Sequence, residues 1–332
     1  MKIGRLKTGK RNSITDVLGV KVGHYTIDTA DHQTGVTVIL PCEDDVFQNK
    51  MVAASHVLNG FGKTTGLVQI EELGTLETPI ALTNTLNVGL VHDAIVEYMC
   101  QQAEDNNYFI MSVNPIICEC NDWFLNDIRH RVVGTKEVFA AIESADIVFE
   151  EGAVGAGRGM SCHGLKGGIG TSSREIQIGD QTFTIGVLVL TNHGSLSDLT
   201  VEGRNIGTEI DLQIQANAPD KGSCIMIVAT DLPVTDRQLK RIIKRCSVGL
   251  ARVGSYIGHG SGEIMVGFST ANRISAKGEF CEMTYVHESQ IDKAFRAVAE
   301  ATEEAVIRSM LKAETVTGYS NNIRRSLSEF YK

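Results

Sequence analysis

A Gly-Ser pair at the mouth of an apolar run, Gly222-Ser223 followed by Cys224-Ile225-Met226-Ile227-Val228-Ala229-Thr230, can do chemistry that few dipeptides can. If the bond between them breaks by an N-to-O acyl shift, the new chain begins with Ser223. Its hydroxyl is then a nucleophile, and its own α-amine, with a pKa of about 8, can take the hydroxyl proton near neutral pH. Glycine suits position 222 because, lacking Cβ, it permits the strained backbone such a shift requires. Taken alone, the same dipeptide reads more simply as a turn at a strand start.

Other motifs fail on their own terms. Gly62-Lys63-Thr64 resembles the end of a phosphate-binding loop, but Val57 stands where the pattern needs its first glycine. In the glycine-dense stretch Val154 to Arg174, Met160 occupies the third glycine position of a dinucleotide fingerprint. The nine histidines show no HExxH pairing, and Ser261 has His259 and Glu263 where a nucleophile elbow needs glycines. His163 and His193, each beside a glycine, read as structural hydrogen-bonders more readily than as partners of a serine. No cofactor or metal is called for.

The elements that must position Ser223 are legible as apolar, β-branched runs: Val36 to Leu40, Ile80 to Thr83, Phe183 to Thr191, Ile225 to Thr230 and Ile264 to Phe268. Two amphipathic helices stand out. Thr235 and Gln238 form a capping box ahead of one stripe of Leu239, Ile242, Ile243, Cys246 and Leu250. A later helix carries Ile291, Phe295, Val298, Thr302 and Ala305 on its stripe, with Glu300, Glu303 and Glu304 off it. Interior strands under long helices predict a layered α/β sandwich.

With 42% hydrophobic residues in 332, and no low-complexity linker or repeat, the chain reads as one compact domain, 1–332. A net charge of −9 without a Lys/Arg-rich run argues against nucleic acid as partner. No apolar stretch reads as a secretory signal or membrane span, and the eight scattered cysteines read as reduced thiols, so a cytoplasmic protein with no membrane partner is expected.

Eight segments, taken in order, carry a resemblance: SITDVLGVKVGH, GVTVILP, VLNGFGKTTG, PIALTNT, CNDWFLNDI, GMSCHGLKGGIGTSSR, GSCIMIVATD and GSGEIMVGFSTAN. Together they resemble the L-aminopeptidase/D-amidase/D-esterase family, which includes the β-peptidyl aminopeptidases, from about residue 13 to near Gly318. The resemblance implies an αββα sandwich like that of N-terminal-nucleophile hydrolases but differently connected. It also implies self-cleavage into an α chain, 1–222, and a β chain, 223–332, that stay together, commonly as a homotetramer. Ser223 matches the nucleophile and Gly222 the residue before the scissile bond. Ser261 and Glu263 match an auxiliary serine and carboxylate, and Glu263 could orient the Ser261 hydroxyl and the Ser223 ammonium. Asn192 matches an oxyanion-hole asparagine, a role suited to a neutral amide donor. A small peptide, amide or ester is the substrate so implied.

The departures bear on the substrate pocket, expected to involve Trp123, Phe124, Asn59 and Lys63. The family pattern after Asn-Asp is Gly-Tyr, its tyrosine an oxyanion donor; here Trp123-Phe124 follow, so either Trp123 Nε1, a backbone amide or water substitutes, or activity on the family's usual substrates is poor. Asn-Gly-Asn-Gly-Glu appears as Asn59-Gly60-Phe61-Gly62-Lys63, so an acidic residue able to hold a substrate amine is replaced by a lysine. That argues against a plain aminopeptidase and for a substrate with a carboxylate or no charge. The alternatives are an acyl transferase of the ornithine acetyltransferase type and a non-catalytic relic that binds a small ligand.

Overall fold

The structure, a computed structural model, describes residues 3–214 and 222–331. Its centre is two sheets packed face to face. The four-stranded sheet has the order β1-β2-β5-β6, from Lys21–Asp28 (β1), Gln33–Leu40 (β2), Ile80–Asn84 (β5) and Ile116–Cys120 (β6). The six-stranded sheet contains Asn49–Gly60 (β3), Thr75–Leu76 (β4), Gly168–Ile178 (β7), Gln181–Asn192 (β8), Gly222–Thr230 (β9) and Ser261–Ser275 (β10), in the order β4-β3-β10-β9-β8-β7. Every run expected as a strand lies in one of these.

The helices are Leu67–Leu73 (α1), Val88–Asp105 (α2), Thr135–Glu143 (α3), Gly207–Ile214 (α4), Asp236–Ile243 (α5), Cys246–Arg252 (α6) and Ile291–Leu311 (α7). Alternation along β9 explains the layering, since successive side chains leave opposite faces of a strand. Ile225, Ile227 and Ala229 point between the sheets, where they meet Ile39, Leu82 and Cys118. Cys224, Met226 and Val228 point outward onto Leu239, Ile242, Leu250 and Val298 of α5, α6 and α7. On the far side, Val36, Val38, Ala81 and Ile117 pack against Val91, Ile95 and Val138 of α2 and α3. The result is the expected four-layer αββα sandwich. Among the described residues no helix is long and apolar enough to cross a membrane.

Two sequence expectations need correction. The Thr235/Gln238 capping box is present, but the stripe running to Leu250 belongs to two helices, not one. The chain turns at Lys244 and Arg245; there the Arg245 guanidinium bonds Arg241 O at 2.8 Å and stacks 3.8 Å from the Phe295 ring centre, which stabilises the break. In α7, Glu300, Glu303 and Glu304 are buried rather than solvent-facing. Arg174, fully buried on β7, explains two of them: its guanidinium lies 2.7 Å from Glu304 and 3.5 Å from Glu300. Arg252 partners Glu303 at 3.1 Å. Buried carboxylates are tolerated where such partners offset their desolvation.

Asp122 ties the small sheet to the turn that follows β6. It accepts from Thr34 Oγ1 at 2.5 Å and Asn126 Nδ2 at 3.0 Å, while Asn84 Nδ2 bonds the same threonine oxygen. Burial pushes its carboxyl up from 3.8 to about 6, against the opposing effect of those hydrogen bonds. Because the folded-state pKa is raised, the native protein binds more protons than the unfolded chain between pH about 4 and 6, and stability falls as pH rises through that window. Asp122→Asn removes this contribution. Denaturant melts at pH 4, 5 and 6 should show a flatter profile in the variant, and an unchanged slope contradicts the assignment.

Candidate active site

Ser223 is the second residue of β9 and sits where several strand ends of both sheets meet. It is buried, and its hydroxyl donates to Gly222 O at 2.7 Å. On one side the antiparallel register pairs it with Asn192, the last residue of β8. On the other, parallel pairing with β10 sets Gly222 beside Ser261, Ser223 beside Gly262 and Cys224 beside Glu263. Ser261 and Glu263, two apart on one strand, leave the same face of β10. Both are fully buried, and the Ser261 hydroxyl donates to Glu263 Oε1. The pair therefore brackets the main chain of Ser223, where a new α-amine would form.

Geometry admits only glycine at two positions here. Gly222 has φ +153° and is pressed on the neighbouring strand: a methyl group there would stand 1.7 Å from Asn192 O. At Gly262 a methyl group would lie 2.5 Å from Phe61 O and 3.2 Å from the Ser223 hydroxyl.

Asn192 is held at both ends of its amide. Its Oδ1 accepts from Ser161 N at 2.8 Å and its Nδ2 donates to Asn121 O at 3.0 Å, leaving one amide hydrogen on the side of Gly222. The loop carrying Ser161 is itself pinned by Lys166, whose fully buried ammonium donates to the carbonyls of Gly157, Met160 and Gly167 at 2.8–2.9 Å.

In front of Ser223 opens a cavity of about 410 Å³, lined among others by Lys63, Thr85, Glu119, Trp123, Asn192 and His259. Of the four expected pocket residues, Lys63 and Trp123 line it and two do not. Asn59 instead secures the loop before Ser261, donating to Gly258 O at 3.0 Å and to Ser261 O. The Phe124 ring turns toward Leu125, Ala153 and Ala313 with the Arg324 guanidinium 3.6 Å from its centre, so it borders no part of the cavity. His163 and His193 are buried behind Asn192, away from the cavity wall; His163 Nδ1 lies 2.8 Å from Ser195 O.

The residue that sequence reasoning missed is Glu119. It is buried on β6, at the cavity wall, where it accepts from Lys63 N at 3.0 Å and from the Thr85 hydroxyl. A carboxylate therefore faces the cavity although an acidic residue is absent at position 63. Its signal was a lone glutamate inside the apolar run Ile116-Ile117-Cys118-Glu119-Cys120.

A four-layer sandwich with a Gly-Ser junction on a central strand, a serine-carboxylate pair beside it and a clamped amide across it defines a serine hydrolase of the N-terminal-nucleophile type. The model of peptidase family S58 matches residues 12–324. The β-peptidyl aminopeptidase of Sphingosinicella xenopeptidilytica is 37% identical over 94% of this chain and 84% of its own. Among solved structures, a protein of Pyrococcus horikoshii OT3 superposes with a TM-score of 0.93 at 48% identity, covering 98% of this chain and 94% of that one. The L-aminopeptidase D-Ala-esterase/amidase of Ochrobactrum anthropi, described as a prototype of the serine aminopeptidases and a variant of the Ntn hydrolase fold, gives 0.91 at 34% identity over 97% and 93%. The chain belongs to peptidase family S58.

The contact at Gly262 makes a direct prediction. Gly262→Ala forces a methyl group against the Ser223 hydroxyl and the Phe61 carbonyl, so hydrolysis should fall at least tenfold while the protein stays folded by circular dichroism. Full activity in this variant contradicts the packing described.

Proposed function

We propose that the protein is a self-processing serine aminopeptidase or amidase that removes an amine-bearing residue from small peptides, amides or esters, with Ser223 as nucleophile. The observation that carries this reading is a buried serine at the junction Gly222-Ser223 facing a cavity whose wall holds the Glu119 carboxylate.

In the first step the Ser223 hydroxyl attacks the Gly222 carbonyl carbon, the C–N bond breaks, and the acyl group passes from nitrogen to oxygen. Water then cleaves the ester, leaving Gly222 as a carboxylate and Ser223 with a free α-amine. In turnover the substrate ammonium docks on Glu119, a partner that a desolvated cation needs. The Ser223 hydroxyl adds to the substrate carbonyl and its proton goes to the α-amine, whose charge Ser261 and Glu263 stabilise. The developing oxyanion accepts from Asn192 Nδ2. Collapse breaks the bond to the leaving amine, which takes the proton from the α-ammonium. Water resolves the acyl-enzyme by the reverse path.

Glu119 removes the objection that Lys63 raised against an aminopeptidase. Trp123 lines the wall, which supports it as the residue of the Trp123-Phe124 pair that contacts substrate. The eight cysteines are free thiols, including exposed Cys100 and Cys281, which supports a cytoplasmic protein. Exposed Val68, Phe109, Met111 and Phe280 supply apolar surface for assembly, consistent with a homotetramer of processed protomers.

The test uses alanine p-nitroanilides of L, D and β type. Ser223→Ala should abolish turnover. Glu119→Gln should raise KM at least tenfold for the free-amine substrates, while N-acetylated analogues remain poor substrates of both proteins. Turnover in Ser223→Ala rules out this nucleophile, and an unchanged KM in Glu119→Gln rules out the amine site.

A further inference from the structure

We infer that Lys63 forms a carboxylate subsite at the mouth of the Ser223 cavity, so that the favoured substrates are short zwitterions, dipeptides above all, with a free amine and a free C-terminal carboxylate. This rests on the reading of Glu119 and Ser223 above and extends it to the leaving-group side of the scissile bond.

Three observations converge. Lys63 is the one lysine or arginine among the described residues lining the cavity, and among those residues it forms no ion pair. Its ammonium stands 5.1 Å from the centre of the Phe61 ring, another lining residue, so the charge lies over the cavity's edge. Its own main-chain N–H is bonded to Glu119 at 3.0 Å. The two opposite charges are thus separated by about the reach of one lysine stem, four carbons long. An extended dipeptide spans about 7 Å from end to end, at 3.3–3.6 Å per residue. A substrate with its ammonium on Glu119 therefore brings its carboxylate near Lys63, with the scissile carbonyl between them in front of Ser223.

Volume agrees with this size class. A cavity of about 410 Å³ sits at the lower end of small-molecule sites, which run from about 300 to 1,000 Å³. It accommodates a few residues and no extended polypeptide. The subsite also has a discriminating sense: a C-terminal amide, an anilide or a longer chain places no negative charge at Lys63, and a cationic leaving group is repelled there.

The test compares alanyl-alanine with alanyl-alaninamide, each with L-, D- and β-alanine at the amino end, by the alanine released. Wild type should favour the free acid roughly three- to tenfold in kcat/KM, as expected for one solvent-accessible ion pair, with the difference carried by KM and shrinking in added salt. In Lys63→Met the ratio should fall to about one, and in Lys63→Glu the amide should become the better substrate. Turnover of the amide shows that each variant is folded. The same acid-to-amide ratio in wild type and Lys63→Met overturns the subsite while leaving the hydrolase intact. No turnover of either compound by a wild type whose Ser223 is freed overturns the amine-docking reading itself, and the subsite with it.

Discussion

Everything at the site depends on how closely Gly222 is pressed against the end of β8. The peptide bond ahead of Ser223 lies between Asn192 on one strand and Ser261 on the other, and only a residue without Cβ fits, because a methyl group would overlap the Asn192 carbonyl at 1.7 Å. That contact holds β9 in register with β8, and the parallel ladder to β10 holds its other edge. Register in turn decides which side chains share a face, so a one-residue slip would exchange the Ser223 hydroxyl for Gly222 or Cys224. The apolar alternation of β9, Ile225, Ile227 and Ala229 inward against Cys224, Met226 and Val228 outward, resists such a slip along the whole strand.

Charge burial follows the same economy of position. Arg174, Lys166 and Glu119 are all removed from water; Arg174 and Glu119 are satisfied by groups from distant parts of the chain, Lys166 by carbonyls of its own loop. Arg174 joins β7 to α7, so the helix can bury carboxylates that would otherwise be too costly. Lys166 spends its three donors on carbonyls and stiffens the loop that fixes Asn192. Glu119 likewise has neutral partners, a main-chain N–H and a hydroxyl, but its carboxylate faces a cavity. It therefore keeps its appetite for a cation, which is what an amine-binding wall requires.

Much of the fold was legible in the sequence because its signals are local. Buried strands betray themselves as β-branched runs, and the Thr235/Gln238 box marks a helix start in four residues. Nonlocal facts were not legible. The break between α5 and α6 hides inside an unbroken hydrophobic stripe, since the cause is an arginine stacking on Phe295 some fifty residues away. The burial of Glu300 and Glu304 depends on Arg174, more than a hundred residues distant. At the site, the Gly-Ser dipeptide gained meaning only from its family resemblance. Asn59 and Phe124 matched pocket positions by motif and yet serve the loop before Ser261 and the packing around Arg324. Glu119 went unseen because no spacing links it to Ser223; only the meeting of β6 with β9 does.

In the proposed mechanism Ser223 works through an α-amine made by cleavage of its own peptide bond. Intact mass under denaturing conditions, on freshly purified wild type beside Ser223→Ala, addresses it most directly. Two chains, 1–222 and 223–332, are expected from the wild type and one full-length chain from the variant. A single full-length chain from both, in a preparation that hydrolyses substrate, would contradict it, because the base of the mechanism would then not exist.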